Sequence, residues 1–317
     1  MQNTNEKKTY SAVAIRRIIA ELEFFHKSPP YGIYIISDEN DIGRHLILIL
    51  GPDKTPYEDG FFFFEILFPE DYPFSPPKVE IRTTNPEYRF NPNFYLEGKV
   101  CLSILGTWQG PSWEPTMSID TTLISIQARM NEFPLENEPG YENANKKSKI
   151  DYNHIVRELT LRHSVLGQLT HGFPKTRMNP QMSFEGFRPI IIEHFHKKYH
   201  NYLRLVDTIP NASLTSRFGN YSRLPDLLKL KEDLHALFNS LPNTVPFAIV
   251  EAAEAIEAAE AIEASAAFTT SAATTNSNIK QCFMAHKGVN ISQLEKIEVK
   301  KTPKLKVIVP RGRPIKV

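Results

Sequence analysis

Four short apolar runs constrain this chain more than any other feature of it. Residues 31–37, 45–50, 60–68 and 78–83 are rich in β-branched and aromatic side chains, which suit a pleated surface. Turn-forming stretches separate them: residues 38–43, Gly51-Pro52-Asp53 and the proline-rich 69–77. Strands joined by such short links pair with their neighbours, so the spacing predicts a four-stranded antiparallel meander. The densest run, 61–68, is interrupted by Glu65. A helix is predicted ahead of the meander, because Ile15, Ile18, Ile19, Leu22 and Phe25 recur at helical spacing. Ser28-Pro29-Pro30 ends it, since proline lacks an amide donor and restricts the residue before it.

Residues 84–115 then show weak periodicity. A loop that long inside a compact domain is functional or disordered. Phe90, Phe94, Tyr95, Trp108 and Trp113 argue for order, and Cys101 lies among them. By itself, a lone cysteine reads more often as a small buried hydrophobe than as a nucleophile. Helical spacing returns at Ile119, Leu123, Ile126 and Met130, behind a cap at Ser118.

Three more helical patterns follow: residues 150–169; Ile191, Phe195, Tyr202 and Val206; and Leu224, Leu227, Leu228, Leu234 and Leu237. So few helices are expected to pack on the first domain as an extension. After about Pro246 the chain is of low complexity, with Ala, Glu and Ile repeating from Glu251 to Ala264. The last segment, 299–317, is basic. The expected organisation is a core over 8–145, a helical extension over 146–245, a largely disordered linker over 246–298 and a basic tail over 299–317.

Net charge is +1, which gives no global push toward nucleic acid or membrane. Of the two cysteines, Cys282 lies in a polar, poorly patterned stretch, so a reducing compartment is expected. Residues 1–10 lack the apolar centre of a signal peptide. No apolar run approaches the ~20 residues of a spanning helix. A soluble protein, cytoplasmic and/or nuclear, is expected.

A helix, a strand meander, an ordered loop with one cysteine and then a helix is an unusual order. Arg16-Arg17-Ile18 with Glu21-Leu22 and Pro29-Pro30 resembles the first helix of ubiquitin-conjugating enzymes. Thr55-Pro56-Tyr57-Glu58-Asp59-Gly60, and Asp71-Tyr72-Pro73-Phe74-Ser75-Pro76-Pro77, resemble their strand–turn–strand signature. Asn91-Pro92-Asn93-Phe94-Tyr95 with Gly98-Lys99-Val100-Cys101-Leu102 resembles their active-site motif. Trp113-Glu114-Pro115 resembles the loop before their next helix. The long spacing from Cys101 to Trp108, with Gly110-Pro111 and Asn137-Glu138-Pro139-Gly140 beyond, is similar to the large Z-type members. These matches run in order over roughly the first 140 residues and fade through the extension.

The resemblance implies a fold of that type. It also implies that Cys101 carries ubiquitin, or a ubiquitin-like modifier, as a thioester. The donor would be an activating enzyme, and the acceptor a lysine on a protein substrate, usually with a ligase. By the same resemblance Asn93 is the amide that stabilises the oxyanion, or holds the loop that supplies it. Such chemistry needs an accessible sulfur beside that amide. Arg16 and Arg17 would meet the activating enzyme; Phe74, Trp113 and Pro115 would meet RING-type ligases. No cofactor is implied.

Two departures stand out. Asn91 occupies the place of the family's histidine. Asn137, flanked by Glu136 and Glu138, replaces the acid that helps deprotonate the incoming lysine. Asn137 positioning, a neighbouring glutamate such as Glu138, or the substrate itself would then serve. A non-catalytic relative that scaffolds a ligase is a second reading; a chromatin-tethered binding protein is a third. The third draws on Pro310-Arg311-Gly312-Arg313-Pro314, which resembles an AT-hook core, with Arg311 and Arg313 shaped for A·T-rich DNA. A solvated tail or an import signal explains that stretch equally. His194, His196 and His200 read as a polar helix face rather than a metal site, since no third ligand stands at a zinc-like spacing.

Overall fold

A computed structural model describes residues 9–85, 87–178, 181–216, 218, 221–242 and 307–308. Helix α1 (Ala12–Lys27) starts where the Ser11 hydroxyl accepts from the Ala14 amide. It ends at Ser28, ahead of the two prolines. Strands β1 (Ile33–Ser37), β2 (Arg44–Leu50), β3 (Phe61–Leu67) and β4 (Lys78–Ile81) form the antiparallel meander, in spatial order β4-β3-β2-β1. Ile35 faces Ile47, Leu48 faces Phe63 and Ile66 faces Val79. Helix α2 (Ile119–Gln127) has Ser118 as its cap in a reciprocal pair with Thr121. It stops before Met130, which is buried beyond the helix end instead of inside it.

Helix α3 (Lys146–Leu159) begins at Asn145, whose side chain accepts from the Ser148 amide. It runs on through a π-helical stretch, Thr160–Gly167, into the short α4 (Gln168–His171). Helix α5 (Arg188–Asp207), the hairpin of β5 (Leu214–Ser216) and β6 (Tyr221–Arg223), and α6 (Leu227–Ser240) complete the extension. The hairpin was not expected; three-residue strands are too short to show a period in sequence. A further two-residue strand, β7 (Val307–Ile308), pairs antiparallel with Ile35 and Ile36 of β1. Residues 243–306 and 309–317 lie outside the described residues, so the expected linker and the arginines Arg311 and Arg313 do too.

The core sits on both faces of β3, where Phe61, Phe62, Phe63 and Phe64 are all fully buried. A strand covered on both faces reads as a continuous apolar run. Phe62 and Phe64 meet Phe90 and Phe94 of the long loop. Phe61 meets His194, and Phe63 meets Phe173, Phe184 and Phe187. Each buried Phe contributes about 1.5–3 kcal/mol, so the extension is part of what covers the sheet.

That packing corrects the reading of the histidines. His194 Nε2 lies 2.9 Å from Asp59 Oδ1, and the His196 ring stands edge-on to Phe238 at 5.0 Å. Only His200 of the three is exposed. The face turns inward because Asp59, held in the turn before β3, offers the carboxylate. Among the described residues no cluster of His, Cys, Asp or Glu could hold a metal ion, and no helix is long and apolar enough to cross a membrane.

Candidate active site

Cys101 stands on one arm of a small hairpin built from the long loop. The Tyr95 amide donates to Lys99 O at 3.0 Å, Phe94 bridges Val100, and the Cys101 amide donates to Asn93 O at 2.9 Å. The turn closes at Gly98, whose φ of +103° favours glycine. At the other end Asn93 Nδ2 donates back to Cys101 O at 2.9 Å. Two reciprocal bonds thus join residues 93 and 101.

Asn91 anchors this end. It is fully buried, its Oδ1 accepts from the Asn93 amide at 2.8 Å, and its Nδ2 donates to Tyr57 Oη (2.8 Å) and Arg129 O (2.7 Å). The residue in the histidine's place therefore holds the Asn93 turn. Thr107, missed in sequence, folds the following loop back: its Oγ1 donates to Val100 O at 2.6 Å and accepts from the Leu102 amide at 2.9 Å. Nothing in the pattern around Thr107 marks it.

Asn137 reaches the same carbonyl as Asn91, with Nδ2 3.0 Å from Arg129 O, while its Oδ1 accepts from Asn131 Nδ2. Both ends of the Asn137 amide are thus used in shaping its loop. Glu138 is half-buried, and that burial raises its carboxyl above the ordinary range, with Arg89 opposing.

One requirement of the sequence reading is corrected. Cys101 is only 2% exposed, so the thiol is covered in this state, not open. The hairpin and the Thr107 loop both close on its neighbours.

The other singled-out residues fall in two groups. Phe74 is 67% exposed, and Trp113 is tied to its loop, with Nε1 donating to Pro73 O at 2.7 Å and its ring against Tyr72. Pro115 is exposed two residues on, and the Trp113–Pro73 bond brings that loop beside Phe74. Arg16 is exposed on α1. Arg17, a third exposed, is held by Glu21 and by Met117 O.

The profile described as "Ubiquitin-conjugating enzyme" matches residues 17–160. That stretch carries the meander, the Cys101 hairpin and α2. Residues 17–160 belong to the ubiquitin-conjugating enzyme family. The chain is 46% identical over 167 residues to ubiquitin-conjugating enzyme E2 Z of Xenopus tropicalis, covering 52% of this chain and 53% of that protein. It is 48% identical over 151 residues to the human E2 Z protein, covering 47% and 43%. It is also 35% identical over 212 residues to human BIRC6, a dual E2 ubiquitin-conjugating enzyme/E3 ubiquitin-protein ligase, covering 62% of this chain and 4% of that one. The chain spans about half the length of the E2 Z relatives it matches. The conjugating domain so defined ends within the first residues past α3, and the segment from Leu161 onward lies outside it.

Proposed function

We propose that this chain accepts ubiquitin, or a ubiquitin-like modifier, as a thioester on Cys101 and passes it to a lysine of a protein substrate, usually with a ligase. What carries the reading is Cys101 lying inside the matched domain and joined to Asn93 by two reciprocal hydrogen bonds. The Cys101 thiolate attacks the thioester carbonyl on the activating enzyme. A new S–C bond forms and the activating enzyme's sulfur leaves as thiolate. In the second step a lysine amine attacks, and the Cys101 sulfur leaves.

Asn93 Nδ2 has two hydrogens and gives one to Cys101 O. The second is left for the oxyanion of the intermediate. Asn137 keeps its loop in shape, and Glu138 takes the proton of the attacking amine; burial has already raised its basicity. Arg16 faces the activating enzyme, and the Phe74, Trp113 and Pro115 surface faces the ligase. Loading requires the cover over Cys101 to open.

The test is a reaction with activating enzyme, ATP and ubiquitin, run on a gel without reductant. A band that reductant removes is expected, and Cys101→Ala should abolish it. Asn93→Ala should slow discharge to free lysine about 10²-fold, the scale of losing one oxyanion donor, with a smaller effect on loading. A reductant-resistant adduct, or a band that survives Cys101→Ala, would refute the assignment.

A further inference from the structure

The hairpin that carries Cys101 is held at its base by Asn91 and Asn93, inside the matched domain. Its tip is held both from within that domain and from outside it. Gly98 O accepts from the Ile81 amide of β4 at 2.8 Å. The neighbouring carbonyl, Glu97 O, accepts a close hydrogen bond from Arg177 Nη1. Arg177 belongs to the segment between α4 and α5, 17 residues past the end of the family match at residue 160.

An exposed arginine reaching a carbonyl usually gains little, because it must order a long side chain. Here the backbone beneath it is already fixed. Glu65 of β3, 1% exposed, accepts from the Arg177 amide and the Met178 amide, both at 2.6 Å. Arg44 Nη1 donates to Met178 O at 2.8 Å, and Arg82 Nη2 donates to Lys175 O at 2.7 Å. The strap is therefore tied to β2, β3 and the end of β4 before the guanidinium reaches the hairpin. A side chain on Gly98 would press on Ile81 O at 2.9 Å and come within 3.5 Å of Arg177 Nη1, so the tip, the sheet edge and the strap meet closely.

We infer that Arg177 is a positioning residue for Cys101: it pins the hairpin tip from the extension and so sets the alignment of the sulfur with Asn93. The inference rests on the proposed thioester chemistry, but one of its readouts does not. Arg177→Ala removes the guanidinium and leaves the backbone amide on Glu65, so the fold should hold.

The experiment uses the full chain carrying Cys282→Ser, which leaves Cys101 as its one thiol. Alkylation of Cys101 by iodoacetamide should be at least threefold faster in Arg177→Ala, because a freed tip uncovers the sulfur. Single-turnover ubiquitin loading should be at least fivefold slower, because alignment is lost, while Tm moves by less than about 2 °C. Arg177→Lys, which keeps one donor, should return both rates to within twofold of the parent. A purely structural role would lower Tm and loading together, and that result overturns the inference. So does an unchanged alkylation rate, or loading that speeds up with alkylation. If the parent protein itself does not load, the proposed function fails, and the alkylation arm alone decides whether Arg177 holds the hairpin.

Discussion

Two buried carboxylates organise this molecule in the same manner but in different places. Glu21 of α1 accepts from both sides: Tyr72 Oη at 2.9 and 2.8 Å, the Ile119 amide at the start of α2 at 2.8 Å, and Arg17. It locks together elements that all lie within the matched domain. Glu65 of β3 accepts two backbone amides of the strap, with Arg82 at 3.4 Å. It locks the sheet to a segment outside that domain. The first carboxylate builds a unit the family match already covers. The second makes the extension a structural part of that unit rather than an appendage. Burial raises the Glu65 carboxyl, and its two amides and Arg82 oppose that rise.

The sharpest way to break the comparison is to delete each carboxylate. Glu65→Ala leaves two amides without their acceptor and Arg82 without its counter-charge, so a loss of about 3–5 kcal/mol is expected in denaturant unfolding. Glu21→Ala leaves the Tyr72 hydroxyl and one helix-start amide unpaired, and its cation, Arg17, is a third exposed and can turn to water where Arg82 cannot, so about 2 kcal/mol is expected. Besides its larger cost, Glu65→Ala should expose the strap to protease, and Glu21→Ala should not. Equal costs, or protease cleavage in neither variant, would mean that the strap is not held through Glu65.

Much of this architecture was legible in the chain itself, and the parts that were not share a cause. Ser118, Ser28-Pro29-Pro30 and the four strand runs act on residues a few positions away, so a local pattern shows them. Asn93 was legible because the motif keeps it eight positions before Cys101. Glu65 looked like an interruption of an apolar run, because a side chain that accepts from residues 112 and 113 positions away leaves no local trace. Arg177 is hidden for the same reason. Asn91 was readable only as a missing histidine; its three bonds to Tyr57, Arg129 and Asn93 exist only once the loop folds.

A smaller effect sharpens the Glu21 side. Asp120, in the first turn of α2, has its pKa pushed up to about 6, chiefly by burial and secondly by Glu21. Its unfolded value is about 4. The folded state thus disfavours the charged carboxylate, so stability falls as pH rises from about 4 to about 6 and stays reduced above that. Asp120→Asn should flatten this decline and add about 1 kcal/mol at pH 7.5, a figure discounted because the group is partly solvated. In a Glu21→Gln background the gain should shrink. Thermal melts at pH 4.5 and 7.5 read both; an unchanged pH profile in Asp120→Asn would exclude the coupling.

The smallest effect is expected at the far edge of the sheet. β7 contributes two residue pairs to β1, whereas β2 contributes five to the same strand. An edge pairing this short adds little to a sheet whose other strands are already covered, in contrast to the strap, which is held by the buried Glu65 carboxylate. Truncation after Pro246 removes β7 and leaves every bond to Glu65, Glu97 and Asn91 in place. Thioester loading by the truncated chain should stay within twofold of the full chain, and its Tm within about 2 °C. A truncation that no longer loads would transfer to the C-terminal segment the role assigned to Arg177, because the hairpin would then depend on residues beyond α6.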